Sequence, residues 1–292
     1  MSVQALDEHL KSGTTGVSRC WRVTRKDGKT YGFTDHDCDL AFEGTTFRAG
    51  TGLSAAALSQ TTGLSVDNTE AVGALSDASV TEEDIFAGRF DGAEVEAWLV
   101  QWGAPENRVL QFRGSFGEIT RANGAFSAEL RGLAEKLNVP TGRVFQRTCP
   151  AVLGDAECGF DLDQPGYATE VEVTTTDGRV LTFDGLTSFE PRWFERGQMR
   201  VLTGEAAGLT GAIKLDRVAD GIRKVELWDT IRAEVSAGDT VRMTAGCDKR
   251  METCRLKFSN LLNYRGFPDI PDEDWQMAHP TRMSARGGGS RR

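Results

Sequence analysis

Four of the six cysteines fall into two pairs, and the pairs bracket a long segment of different character. The first pair lies in "RTCPAVLGDAECGFDL" (Cys149, Cys158) and the second in "GCDKRMETCRLKFSNLLNYRGFPDIP" (Cys247, Cys254). Nearly ninety residues of β-like sequence separate them. If the four thiols converge, the two ends of that segment must meet, and the segment becomes a compact inserted domain. The spacings are C-x8-C and C-x6-C, neither the C-x2-C of a zinc ribbon nor the close run of a bacterial ferredoxin. Spacing therefore leaves several readings open: buried unligated cysteines, two disulfides, or four thiolates on a tetrahedral zinc or an iron–sulfur cluster. Loop and helix-start positions, where backbone N–H groups are free, favour thiolates and an anionic metal–sulfur centre.

The chain of 292 residues suggests about two domains. A net charge of -9 and a pI near 5.0 leave no basic face for general nucleic-acid binding. The one basic stretch is the final "RGGGSRR", so residues 281–292 read as a flexible tail. No apolar run is long enough for a membrane span, and "MSVQALDEHLKSG" lacks the apolar centre of a signal peptide.

Turn signals recur throughout, and the 33 glycines often stand beside Asp, Asn or Thr. Hairpins are predicted at Lys26-Asp27-Gly28-Lys29, Glu43-Gly44, Asn123-Gly124, Asp177-Gly178 and Gly238-Asp239. Thr81 reads as the N-cap of a short acidic helix stopped at Gly88. "AEVEAWLVQW" alternates as a strand, with Val95, Ala97, Leu99 and Gln101 on one face and Glu94, Glu96, Trp98, Val100 and Trp102 on the other. A second helix is expected from about Leu130 to Leu137, before Pro140. In the last cysteine segment, Cys254, Phe258, Leu261, Leu262 and Arg265 repeat at helical spacing, which makes Phe258, Leu261 and Leu262 core residues. Gly266 and Pro268 mark the stop.

Other motifs carry less. "TDHDCD" gathers Asp35, His36, Asp37, Cys38 and Asp39, but it reads better as a hairpin end with local Asp hydrogen bonds than as a Cys-His nucleophile or a metal site. Glu82 and Glu83 are first-turn helix acids, and "TGEAAGLTG" lacks both a dinucleotide fingerprint and a Walker lysine. Trp193, Phe194 and Trp228 read as barrel core.

The last cysteine segment closely resembles the C-terminal signature of phage-type tail tip hub proteins. These include the hub of gene transfer agent particles and, more distantly, the tail tip hub of lambda-like siphophages. "YGFTDHDCDLAFEGTTFRAGTG", "FRGSFGEITRANGAFSAELRGLAEKLN" and "RTCPAVLGDAECGFDL" resemble the N-terminal part of that family in the same order. The resemblance covers most of residues 15–275. It implies a mainly β fold with a few short helices: two β-sandwich or barrel-like hub domains and a small cysteine-ligated iron–sulfur domain with one helix. The boundaries are then 1–145 for the first hub domain, 165–245 for the inserted second one, and 146–164 with 246–280 for the cluster domain. It implies a 4Fe-4S cluster on Cys149, Cys158, Cys247 and Cys254, with zinc as the alternative metal.

It further implies a non-enzymatic structural hub at the tail tip or baseplate of a virion or gene transfer agent particle, assembled in the bacterial cytoplasm. The expected form is a homotrimer that adapts a six-fold tail to a three-fold tip. Expected partners are the distal tail protein ring and a large central tip protein, then the tape measure and a cell-wall peptidase. DNA would be in transit only, and an acidic lumen would let it slide. The competing readings are a cell-wall-degrading tail enzyme using the Asp/His/Cys motif and a zinc-stapled receptor-binding module.

Overall fold

The computed structural model describes residues 3–13, 15–49, 54–55, 68–74, 80–122, 125–133, 137 and 142–270. The tail expected at 281–292 lies outside them. The chain forms two compact units, Met1–Pro140 and Thr141–Arg292, and β-strand dominates both.

The first unit begins with helix α1 (Val3–Lys11), which buries Leu6. Nine strands follow: β1 (Val17–Thr24), β2 (Thr30–Thr34), β3 (Leu40–Phe42), β4 (Thr45–Phe47), β5 (Ser54–Ala55), β6 (Asn68–Ala74), β7 (Glu94–Gln101), β8 (Arg108–Ala122) and β9 (Ala125–Gly132). Seven of them make one antiparallel sheet in the order β2-β1-β7-β8-β9-β6-β5, and β3 and β4 form a separate hairpin. Two of the predicted turns connect strands as read. Gly28 turns β1 into β2 with φ 85, and Glu43 and Gly44 take φ 48 and 72 between β3 and β4; the turn predicted at Asn123-Gly124 lies outside the described residues. Thr81 caps α2 (Glu82–Phe86) by accepting a hydrogen bond from Asp84 N at 3.1 Å.

Strand β7 keeps the predicted alternation but buries different faces along its length. Val95 and Ala97 join a core with Trp21, Val23 and Phe112, whereas Trp98 and Val100 enter a second core with Cys20, Phe42 and Phe47. Strand β1 does the same, because Cys20 pairs with Trp98 and Trp21 with Ala97. Both faces of this strand pair are therefore covered, and the β3–β4 hairpin supplies the second cover. Arg22 binds Glu96 and Glu43 and lies 4.8 Å from the Trp98 ring centroid, so charge stitches the rim of that second core.

The helix expected from Leu130 to Leu137 does not start at Leu130. Leu130, Arg131 and Gly132 extend β9, with Leu130 opposite Phe116 and 1% exposed. Burial beside β8 outweighs the local helical spacing. Residues 134–136 lie outside the described set.

The second unit holds β10 (Ala168–Glu172), β11 (Thr175–Asp177), β12 (Val180–Asp184), β13 (Gln198–Val201), β14 (Thr210–Ala219), β15 (Ile222–Leu227) and β16 (Thr240–Thr244). The ladder order is β10-β16-β13-β14-β15-β12-β11, antiparallel at every step. Only Val173 and Thr174 separate β10 from β11, so the two edges of the ladder are one stretch of chain and the sheet closes into a barrel. Val173, Phe183, Phe194, Met199, Ile213 and Val241 are among the side chains that fill it. Phe194 thus belongs to the core as read, but Trp228 is 56% exposed. Two turns also differ from the reading. Gly238-Asp239 joins no hairpin: Gly238 N and Asp239 O bond to Val173 at the barrel seam. Asp220-Gly221, with φ 52 and 80, is the hairpin that connects β14 to β15, since Ala219 pairs with Ile222.

Inside the barrel wall Asp216 and Arg223 are both 0% exposed and bonded at 2.9 Å. Asp216 also accepts from Phe194 N at 2.9 Å, and Arg223 donates to the Phe189 and Glu190 carbonyls at 2.5 and 3.1 Å. Burial pushes the Asp216 carboxyl above the usual carboxylate range.

After the barrel the chain forms α3 (Met251–Leu256) and a separate 3-10 turn (Leu261–Asn263). The single amphipathic helix read from the sequence is therefore broken. Ser259 takes φ 49, and Asn260 N turns back to Cys254 O at 3.0 Å. Phe258 is buried against Phe160 and Ala245, but Leu261 is 41% and Leu262 101% exposed, so these two are not core.

Replacing Arg223 alone by Met leaves a buried carboxylate unpaired, and should cost about 3–5 kcal/mol in denaturant unfolding of the second unit. Pairing it with Asp216→Leu should recover much of that loss; a double variant as unstable as the sum of the singles contradicts the account. Phe258→Ala should cost roughly 3–5 kcal/mol in the same measurement, and Leu262→Ser should stay within about 0.5 kcal/mol.

Candidate functional site

The two cysteine loops meet because the barrel returns the chain to its own entrance. Ala168 pairs with Thr244, and Ala245 N donates to Tyr167 O at 2.7 Å. Outside that seam further contacts join the flanking segments. Cys149 N donates to Lys249 O and Phe267 N to Gln146 O, both at 2.9 Å. Arg143 donates to Arg265 O at 2.6 Å, and the Tyr264 hydroxyl donates to Arg147 O at 2.7 Å.

Each cysteine is positioned by its own local structure. Asp155 organises the first loop: one carboxylate oxygen accepts from Val152 N at 2.7 Å and the other from Cys158 N at 2.6 Å. The Cys158 and Val152 N–H groups hold this carboxyl below the usual carboxylate range. Cys247 follows Gly246, where an added Cβ would stand 1.7 Å from Glu195 O, so only glycine lets the chain pass this close to the barrel loop. Cys254 sits in α3, and its thiol donates to Asn260 O at 3.2 Å. Asn260 reaches across to the first loop, with Nδ2 at 2.7 Å from Cys158 O and 3.6 Å from Cys158 Sγ.

Cys149, Cys158, Cys247 and Cys254 line one cavity, with Ala151, Leu153 and Phe258 among its apolar walls. None of the four forms a disulfide. Burial pushes the Cys254 thiol up to about 11, and the nearby Cys247, Cys149 and Cys158 push it the same way. Burial likewise raises the Cys247 thiol. Four thiols so placed oppose one another's ionisation, a penalty that a bound cationic centre removes. Four free thiols lining one cavity fit a metal centre held by these side chains.

The sequence reading missed the groups that organise the cavity. Asn260 and Tyr264 were absorbed into the assumed helix, and Asp155 was counted only as part of a polar loop. Glycine immediately before Cys247 was visible, but not the carbonyl that makes it necessary.

The remaining cysteines lie in the first unit. Cys20 is fully buried, its thiol donates to the Thr34 hydroxyl at 3.5 Å, and burial pushes that thiol up to about 11. Cys38 is exposed beside His36 and Asp37, and their ligand atoms lie within 4.8 Å of one another. His36 Nδ1 is 2.9 Å from Cys38 N, Asp35 accepts from Arg19 N at 2.6 Å, and Asp39 accepts from Ala49 N at 2.8 Å. These are local bonds of a loop end, as the sequence suggested.

Comparison with known proteins follows this architecture. Residues 3–161 match the family described as baseplate hub protein, N-terminal attachment domain, and residues 192–274 match phage conserved hypothetical protein BR0599. A chain of a solved structure titled "Virion of native gene transfer agent (GTA) particle" is 51% identical, with a TM-score of 0.91, over 98% of this chain and 99% of that one. A comparison with curated proteins returns no match. With more than half its length matched by the hub family and a half-identical structural relative along nearly all of it, this chain belongs to the baseplate hub proteins of phage-like tails.

Proposed function

We propose that this chain is a structural hub at the tail tip of a gene-transfer-agent-like particle, and that its four late cysteines hold a 4Fe-4S cluster. The observation that carries the cluster is the cavity on which Cys149, Cys158, Cys247 and Cys254 converge. A four-iron cluster takes one thiolate at each iron corner, and the resemblance of both cysteine motifs to the tail tip hub family favours it over a single zinc ion on the same four sulfurs.

The centre's role is structural. It ties the loop before the barrel to the segment after it, and its binding free energy becomes folding free energy for those loops. A homotrimer carrying such units adapts a six-fold tail to a three-fold tip, between the distal tail protein ring and a large central tip protein. The tape measure and a cell-wall peptidase are further neighbours, and DNA passes through the lumen. The acidic balance, -9 overall, supports passage rather than retention. No catalytic step is assigned: the exposed Cys38 group is bonded into its own loop.

Protein purified without oxygen should be brown and carry about four irons and four acid-labile sulfides per chain. Colourless protein with about one zinc per chain would replace the cluster by a zinc staple. Chelation of the metal should speed amide exchange at Cys149, Cys158 and Asn260 and leave β13 to β16 protected, because the barrel is closed without the centre. Simultaneous loss of protection across the whole second unit contradicts that hierarchy.

A further inference from the structure

Among the described residues, one lysine near the four cysteines has no carboxylate within 4.0 Å. Lys257 leaves the end of α3 and is half-buried. Its Nζ donates to Trp193 O at 2.6 Å and to Gly246 O at 2.9 Å. It also lies 4.2 Å from the Trp193 ring centroid and 5.5 Å from that of Phe258. No ion pair within 4.0 Å joins it to a carboxylate among the described residues, although Asp248, Asp216 and Glu190 contribute at longer range. Burial lowers its ammonium to about 8, and the largest opposing influence is Cys247.

Such an ammonium is costly to bury against two carbonyls and two rings unless a negative charge stands nearby. The four cysteines are one such source: Phe258, whose ring centroid lies 5.5 Å from the ammonium, lines their cavity, while Lys257 itself lines a polar cleft with Glu195 and Asp248. Gly246, whose carbonyl Lys257 holds, is bonded to Cys247, and Lys257 follows Cys254 by one helical turn. Four thiolates on a metal–sulfur core leave the assembly with net negative charge, and added electrons increase it. A fixed positive charge beside it stabilises the ligated form over the empty one and the reduced form over the oxidised one.

We propose that Lys257 is the counter-charge of the cysteine centre, a positioning residue that slows metal loss and raises the reduction potential. The proposal rests on the metal–thiolate reading above. It also gives a reason for the path of the 193–197 loop. That loop presents the Trp193 carbonyl to both Lys257 and Gly246 N, which fixes the ammonium where the cysteine segment leaves the barrel.

The test compares three full-length proteins prepared without oxygen: wild type, Lys257→Gln and Lys257→Arg. Glutamine keeps a donor for the two carbonyls and removes the charge; arginine keeps the charge. Iron, sulfide and zinc are counted first, then the reduction midpoint and the rate of metal release to a chelator are measured at low and high salt. Lys257→Gln is expected to show a more negative midpoint and several-fold faster release, with Lys257→Arg close to wild type on both. A purely structural role would lower the melting temperature of the variants without moving the midpoint of fully loaded protein. Unchanged midpoint and release in fully loaded Lys257→Gln overturn the proposal. If that variant does not fold, Lys257→Met is read by the same two measurements. If wild type holds zinc, the cluster reading fails while the release rate still decides the role of Lys257. If wild type holds no metal, both fail together.

Discussion

Closure of the barrel in the second unit is the constraint on which the convergence of the four cysteines depends. Once β10 and β11 close opposite edges of the same ladder, entry and exit of the inserted segment are adjacent, and Tyr167 and Ala245 are hydrogen-bonded. Two cysteine loops ninety or so residues apart are then neighbours before any metal is bound. A ligand that joins them does not bear the loop-closure entropy of the whole segment, which the barrel's apolar core has already offset. The proposed metal centre would then have only short, polar, turn-rich loops to order. Asp155, Asn260 and Tyr264 do part of that work through backbone groups, and they leave the four thiols facing one space.

The first unit solves a different packing problem. A seven-stranded antiparallel sheet needs apolar cover, and here the cover changes face between the halves of β1 and β7. Helix α2 and the turn after it close one side through Ile85 and Phe90, and the β3–β4 hairpin closes the other through Leu40, Phe42 and Phe47. Arg25 anchors the first cover. It is 2% exposed, and it binds Asp84 on α2 at 3.0 Å and Asp27 in the first hairpin at 2.6 Å. Arg108 and Arg22 anchor the second through Glu43, whose carboxyl is held low chiefly by the hydrogen bond from Arg108. An Arg placed between a helix and a hairpin fixes both by geometry as well as charge.

How much of this was legible follows from the range of each signal. The turns at Asp27-Gly28 and Asp177-Gly178, the Thr81 cap and strand alternation are local, and they stand where the residues placed them. The resemblance of the cysteine motifs carried the family. The helical stripe from Cys254 to Arg265 misled because periodicity does not register a break: Ser259 in the left-handed region costs little beside the bonds Asn260 gains from Cys254 and Cys158. Leu130 misled for the opposite reason, since a distant strand decided its conformation. Gly238-Asp239 has the composition of a hairpin, yet its partner is Val173, at the far side of the barrel seam. The roles of Asn260 and Tyr264 were invisible because their partners are main-chain atoms more than ninety residues away.

The buried Asp216–Arg223 pair connects these levels. Taking two charges into the wall of a small barrel is costly, and apolar residues of similar volume would serve packing as well. What apolar residues could not do is hold backbone. Asp216 receives the Phe194 N–H, and Arg223 grips the Phe189 and Glu190 carbonyls, so the pair pins both ends of the 189–194 stretch to the strands β14 and β15. That stretch leads directly to Trp193 and Glu195, whose carbonyls meet Lys257 and the glycine before Cys247. A continuous run of polar contacts thus leads from the barrel interior to the cysteine segment. The placement of Cys247 is set by charge buried in the barrel wall, and the specificity of that placement is the return on burying it.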